Sequence, residues 1–126
     1  MDKFMSGDSL IVRLRLLVEA PVDPPRLSLE LRDSGGGLLA SSALDLDQVG
    51  WDGTVGEQSL RFTVGRLPLA EGRFQLGVTL TDRAGTKRYH RIDGAARFSV
   101  EPSDSARGVL RFDGDWSSDG VEVRAG

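Results

Sequence analysis

Residues 66–82 read RLPLAEGRFQLGVTLTD. Phe74, Leu76, Val78 and Leu80 are apolar at strict alternation, with Gln75, Gly77 and Thr79 between them. A period of two belongs to a strand that buries one face and exposes the other. Just before the run stands Leu69-Ala70-Glu71-Gly72. This reads as a turn whose last residue can take a positive φ without strain. Just after it, Thr81-Asp82-Arg83-Ala84-Gly85-Thr86 reads as a hairpin turn into a further strand. A short strand, a glycine corner and a long alternating strand carry a chain from one sheet of a β-sandwich to the other.

The same alternation recurs along the chain. Residues 9–19 place Leu10, Val12, Leu14, Leu16 and Val18 on one face. Leu27, Leu29 and Leu31 form the next inward set, after Pro21, Pro24 and Pro25 break the chain. A short strand over 38–44 follows the turn at 33–37. Residues 45–56 form the longest polar loop, and Leu60, Phe62 and Val64 alternate after it. Residues 87–92 return as a hairpin arm, Asp93-Gly94 turns or bulges, and 97–100 ends the main pair. Residues 101–108 form a polar hinge before one more short strand at 109–112. No stretch longer than about two turns has helical apolar spacing. The fold predicted is all-β: an immunoglobulin-like antiparallel sandwich of about eight strands. It occupies 1–116, with 117–126 as a flexible tail.

At 126 residues the chain fits one domain. A domain of that size buries about two-thirds of its unfolded surface, so it needs no staple. Cysteine is absent, which excludes disulfides and thiolate metal sites. Net charge is −3 with dispersed basic residues, which argues against nucleic acid as a partner. The apolar stretch at 10–18 is interrupted by Arg13 and Arg15 and is too short to span a bilayer. The N-terminus lacks the order of a signal peptide.

Catalysis finds little support. His90 is the only histidine and has no nucleophile or carboxylate at diagnostic spacing. No phosphate-cradling glycine motif occurs. Asp45, Asp47 and Gly50 match the first part of a calcium loop. Val49 and Gly56, however, stand where the fifth and twelfth positions need oxygen ligands. The chain therefore reads as a non-enzyme without cofactor or metal. Trp51 and Trp116 lie in polar segments, where a flat ring either stacks on a sugar or covers the end of the core.

The outward face of one sheet is the best binding candidate. If the strands at 27–32, 38–44, 73–81 and 87–92 lie side by side, Ser28, Glu30 and Arg32 share a face with Ser41, Gln75, Gly77 and Thr79. Arg88 with His90 completes it, or Tyr89 if the register shifts by one. Such groups pair with the hydroxyls of a glycan as donors and acceptors. Gly77 would leave room for a ligand to approach the backbone. The ligand-contact set is thus Glu30, Arg32, Ser41, Gln75, Thr79, Tyr89 and His90.

Four collinear segments, SGDSLIVRLRLLVEAPVDPPRLSLELRDSGGGLLA, RFTVGRLPLAEGRFQLGVTLTDRAGT, AARFSV and GVLRFDGDWS, resemble the C-terminal domain of Wzt-type proteins. These are the ATP-binding subunits of O-antigen-type polysaccharide ABC exporters. The resemblance runs over about residues 6–117. It implies a carbohydrate-binding module that presents a polysaccharide to the ATP-binding and membrane subunits at the inner, cytoplasmic face of the membrane. It also implies a homodimer with exchange of the last strand, for which 101–108 would be the hinge. No Walker motif is present, so the chain looks like an excised or separate module. Two departures matter: only residues 2–5 remain to supply a strand that usually precedes GDSL, and the ligand face varies with the glycan. A structural or protein-binding sandwich is the alternative. An accessory domain of a glycan-processing enzyme is a third reading.

Overall fold

The computed structural model describes residues 2–51 and 55–116. The expected tail, 117–126, lies outside the described residues. Seven strands are found: β1 Asp2–Met5, β2 Leu10–Val18, β3 Arg26–Asp33, β4 Leu38–Asp45, β5 Gly56–Val64, β6 Gly72–Thr81 and β7 Arg88–Glu101. A 3-10 helix at Leu46–Val49 follows β4. The strands form a five-stranded sheet, β1-β7-β6-β3-β4, and a two-stranded sheet, β2-β5. The expected β-sandwich is therefore present.

Three details differ from the expectation. Residues 2–5 do form the first strand, but β1 pairs parallel with β7, with Phe4 opposite Val100. Every other named pair is antiparallel. Residues 88–101 make one bulged strand, not two. Residues 109–112 form no strand among the described residues. They touch the 66–72 corner through a single bridge between Leu69 and Leu110.

The chain passes between sheets at that corner, as the alternation predicts. β5 ends in the small sheet and β6 begins in the large one. Leu67, Leu69 and Ala70 are buried between them. Gly72 has a φ of +136°, and a Cβ there would stand 3.1 Å from the Phe74 ring. Both constraints demand glycine. The corner is also tied to the C-terminal segment. Ala70 N–H donates to the Val109 carbonyl (2.9 Å), and Arg111 N–H donates to the Pro68 carbonyl (3.0 Å). The Arg111 guanidinium donates to Ser6 Oγ and bonds Asp113, so it clamps the segment to the start of the sandwich.

The core runs through Leu29, Leu67, Leu69, Phe74, Leu76, Phe98 and Val100. Phe98 meets Phe4 edge-on and Phe74 at a tilt, each at 5.6 Å between centroids. Such ring pairs add to the burial term. Two strands cannot cover five. Ala40 and Ser42, on the inward side of β4 opposite Leu31 and Leu29, are exposed. An apolar cleft of about 180 Å³ opens between the sheets.

Candidate functional site

The outer face of the large sheet is set by register, because residues directly opposite share a face. Glu30 of β3 stands opposite Gly77 of β6 and Ser41 of β4. Arg32 stands opposite Gln75, and Ser28 opposite Thr79. Five of the seven expected contact residues, Glu30, Arg32, Ser41, Gln75 and Thr79, therefore share one face.

Thr79 Oγ1 donates a 2.6 Å hydrogen bond to the Glu30 carboxylate at its centre. The space above Gly77 is not left for a ligand, contrary to expectation. A Cβ there would lie 3.2 Å from the Ile92 carbonyl and 3.4 Å from Glu30 Oε2. The missing side chain lets Glu30 lie across the strand and lets β7 approach. Gln75 Nε2 donates to the Asp33 carbonyl (3.1 Å), which holds its amide in one orientation. Arg32 donates to the Gly36 carbonyl (3.1 Å), which holds its guanidinium over the 33–37 turn.

His90 is the correction. It stands opposite Leu80, an inward position, so the register puts it on the other face from Thr79. Thr79 is opposite Arg91 instead. The register slips at Tyr89, the extra residue between His90 and Arg88, so Tyr89 has no partner of its own on β6 and Arg88 stands opposite Thr81 on the outer face. Lys87 Nζ lies 5.5 Å from the Tyr89 ring centroid, a cation–π contact at the margin of the face. A second irregularity sets Ile92 and Ala96 opposite Val78 and Leu76, leaving Asp93, Gly94 and Ala95 to face Gly77 alone. Beyond it, Arg97 stands opposite Gln75. Alternation within one strand shows neither slip, so Arg91 and Arg97 escaped the sequence reading. Arg73 lies two residues from Gln75, on the same face, and was legible from parity alone.

The candidate calcium loop is otherwise engaged. Asp45 pairs with Arg26 (3.5 Å) and Asp47 with Arg83 (2.9 Å). No cluster of three metal-ligating side chains occurs among the described residues. Trp51 is partly buried, its Nε1 enclosed without a hydrogen-bond partner, and its amide donates to the Leu46 carbonyl. It follows the 3-10 helix. Trp116 is fully exposed near the end of the described chain.

The hairpin beside the face is fixed by Asp82. Its carboxylate accepts from the Thr86 hydroxyl (2.7 Å), the Thr86 amide (2.8 Å) and the Lys87 amide (3.2 Å). The Thr86 hydroxyl first, and the Lys87 amide next, hold this carboxyl below its ordinary pKa.

Comparison with known proteins settles the family. The profile of the Wzt C-terminal domain matches residues 2–112. The chain belongs to the Wzt C-terminal domain family. It is thus a domain related to O-antigen ABC transporters. A crystal structure of the C-terminal domain of Wzt aligns with 92% of this chain and 73% of its own, at a TM-score of 0.74. Sequence identity there is 14%, so that likeness bears on the sandwich alone. No curated protein matches the chain. Among the described residues, no helix is long and apolar enough to cross a membrane.

Proposed function

We propose that this Wzt C-terminal domain is a non-catalytic glycan-binding module that holds an O-antigen-like polysaccharide for export by an ABC transporter. The outer sheet face carries the reading. There the Thr79–Glu30 hydrogen bond, the anchored Gln75 amide and Arg32 present fixed donors and acceptors to solvent. Fixed polar groups bind sugar hydroxyls without losing rotamer freedom on association. The face is open and shallow, so affinity would sit near the millimolar range, about −4 kcal/mol. The module would act in the cytoplasm at the inner membrane face, beside the ATP-binding and membrane subunits of the transporter.

The proposal includes a homodimer. Phe112 and Trp116 are fully exposed, and Leu110 largely so. Apolar side chains gathered in one segment call for a covering partner. A second copy exchanging this segment would cover them, with 101–108 as hinge. The same exposure favours a second reading, a protein-interaction sandwich with no glycan ligand.

Affinity electrophoresis separates the two. In gels containing delipidated O-polysaccharide from the cell that makes this protein, the chain should be retarded, and Glu30→Ala should restore its mobility. Equal mobility with and without polysaccharide would reject the glycan reading and leave the protein-interaction one.

A further inference from the structure

Of the arginines in the described residues, seven form ion pairs: Arg15, Arg26, Arg66, Arg83, Arg91, Arg107 and Arg111. The six outside these pairs are not scattered. Arg32, Arg73 and Arg97 gather on the outer face around Gln75, and Arg88 lies farther along it. Arg13 and Arg61 oppose one another on the small sheet. Like charges brought together on a surface destabilise it unless something offsets them. Two of the three around Gln75, Arg73 and Arg97, differ from the Arg13–Arg61 pair in lining a crevice. It measures about 260 Å³ and is lined by Ser34, Arg73, Phe74, Gln75 and Arg97.

No acid among the described residues forms an ion pair with Arg73 or Arg97. The Asp33 carboxylate accepts from the Gly35 and Gly37 amides, at 3.0 and 2.8 Å. Asp93 is paired with Arg91 at 3.0 Å. Glu30 is held by Thr79. The bulge brings Gly94 against Gln75 and Arg97. A Cβ on Gly94 would stand 3.1 Å from Gln75 Oε1 and 3.6 Å from Arg97 Nη2. Two guanidinium groups and an amide thus converge with no carboxylate bound to either arginine. Forked guanidinium donors match the paired oxygens of a carboxylate or phosphate. The crevice is smaller than the about 300–1,000 Å³ of pockets that enclose a whole small ligand. It suits one charged substituent.

We propose that Arg73 and Arg97 form a subsite for an oxyanion carried by the glycan, either the carboxylate of an acidic sugar or a phosphate substituent. This rests on the glycan reading and narrows it: the polysaccharide is anionic. Neutral hydroxyls would engage Glu30 and Thr79, while the oxyanion would sit at the Gln75 end of the same face.

The test titrates the whole chain with D-glucuronate, glucose 1-phosphate and D-glucose, followed by amide NMR. Shifts at Ser34, Arg73, Gln75 and Arg97 are expected with one or both charged sugars and not with glucose. Their absence in an Arg73→Gln/Arg97→Gln double variant is also expected. Response to glucuronate alone would assign a carboxylate, and to glucose 1-phosphate alone a phosphate. If the double variant does not fold, loss of the wild-type shifts on raising the salt to about 0.5 M takes its place. Equal shifts with glucose, equal shifts at Arg13 and Arg61, or none with either charged sugar would overturn the subsite. Retardation of the double variant in O-polysaccharide gels equal to wild type would also overturn it, yet leave the glycan reading standing.

Discussion

Thr79 on β6 donates a 2.6 Å hydrogen bond to Glu30 on β3, across a strand pair whose registered partner for Glu30 is Gly77. The carboxylate is thereby fixed in a face that would otherwise hold a mobile side chain. Thr79→Val keeps the β-branched shape and removes the donor. It should cost about 1.5–3 kcal/mol of stability, the range for a hydrogen bond to a charged group. Urea unfolding reads that loss. Polysaccharide retardation should fall as well, because Glu30 is no longer held.

Gly72→Ala tests the corner between the sheets. The φ of +136° and the 3.1 Å approach to the Phe74 ring act together there. The cost should be of order 1–3 kcal/mol or more. Gly36→Ala is the control: its φ is +92° but no atom lies within 4 Å of the new Cβ. A smaller loss is expected at Gly36, measured by the same urea midpoints. Equal losses would mean that the ring contact adds nothing.

Acid should loosen two local clamps before the core. The Arg111 side-chain hydrogen bond is the leading cause of a lowered pKa at Asp113, and Asp82 is lowered by Thr86 and Lys87. A depressed folded-state value means the stabilisation is fully present above the ordinary carboxyl value of 3.8. It is lost as pH falls further, through the folded value. Amide exchange in the 82–87 hairpin and at Arg111 should therefore be flat from neutral pH down to about 5 and quicken, corrected for intrinsic rates, below 3.8. Asp82→Asn should remove the hairpin's pH dependence and leave that at Arg111.

The small-sheet pattern and most of the outer face were legible in the sequence, because alternation reports which side of a strand each residue takes. Glu30, Arg32, Gln75 and Thr79 were placed on one face by parity alone. His90 was not. The extra residue at Tyr89 reverses parity along β7, and nothing in the alternation signals it. The three-for-one bulge at 93–95, which Asp93-Gly94 does suggest, adds two residues and leaves the parity unchanged. The parallel pairing of β1 with β7 joins the two ends of the sequence, beyond any local pattern. Residues 109–112 alternate as a strand does, yet meet the corner through one bridge only.

The C-terminal segment gives a test of pairing. A chain ending at Glu101 lacks Val109 and Arg111, which bond the corner, and the exposed Phe112 and Trp116. Light scattering on it should show loss of the dimer or of folding. A folded, unchanged dimer would refute the exchange of this segment.

The glycan face is tested most directly by mapping delipidated O-polysaccharide onto the folded chain by amide NMR. Shifts clustered at Arg32, Gln75, Thr79 and Arg91 are expected, with β2 and β5 unmoved. Shifts confined to the small sheet, or none at saturating polysaccharide, would contradict glycan binding there.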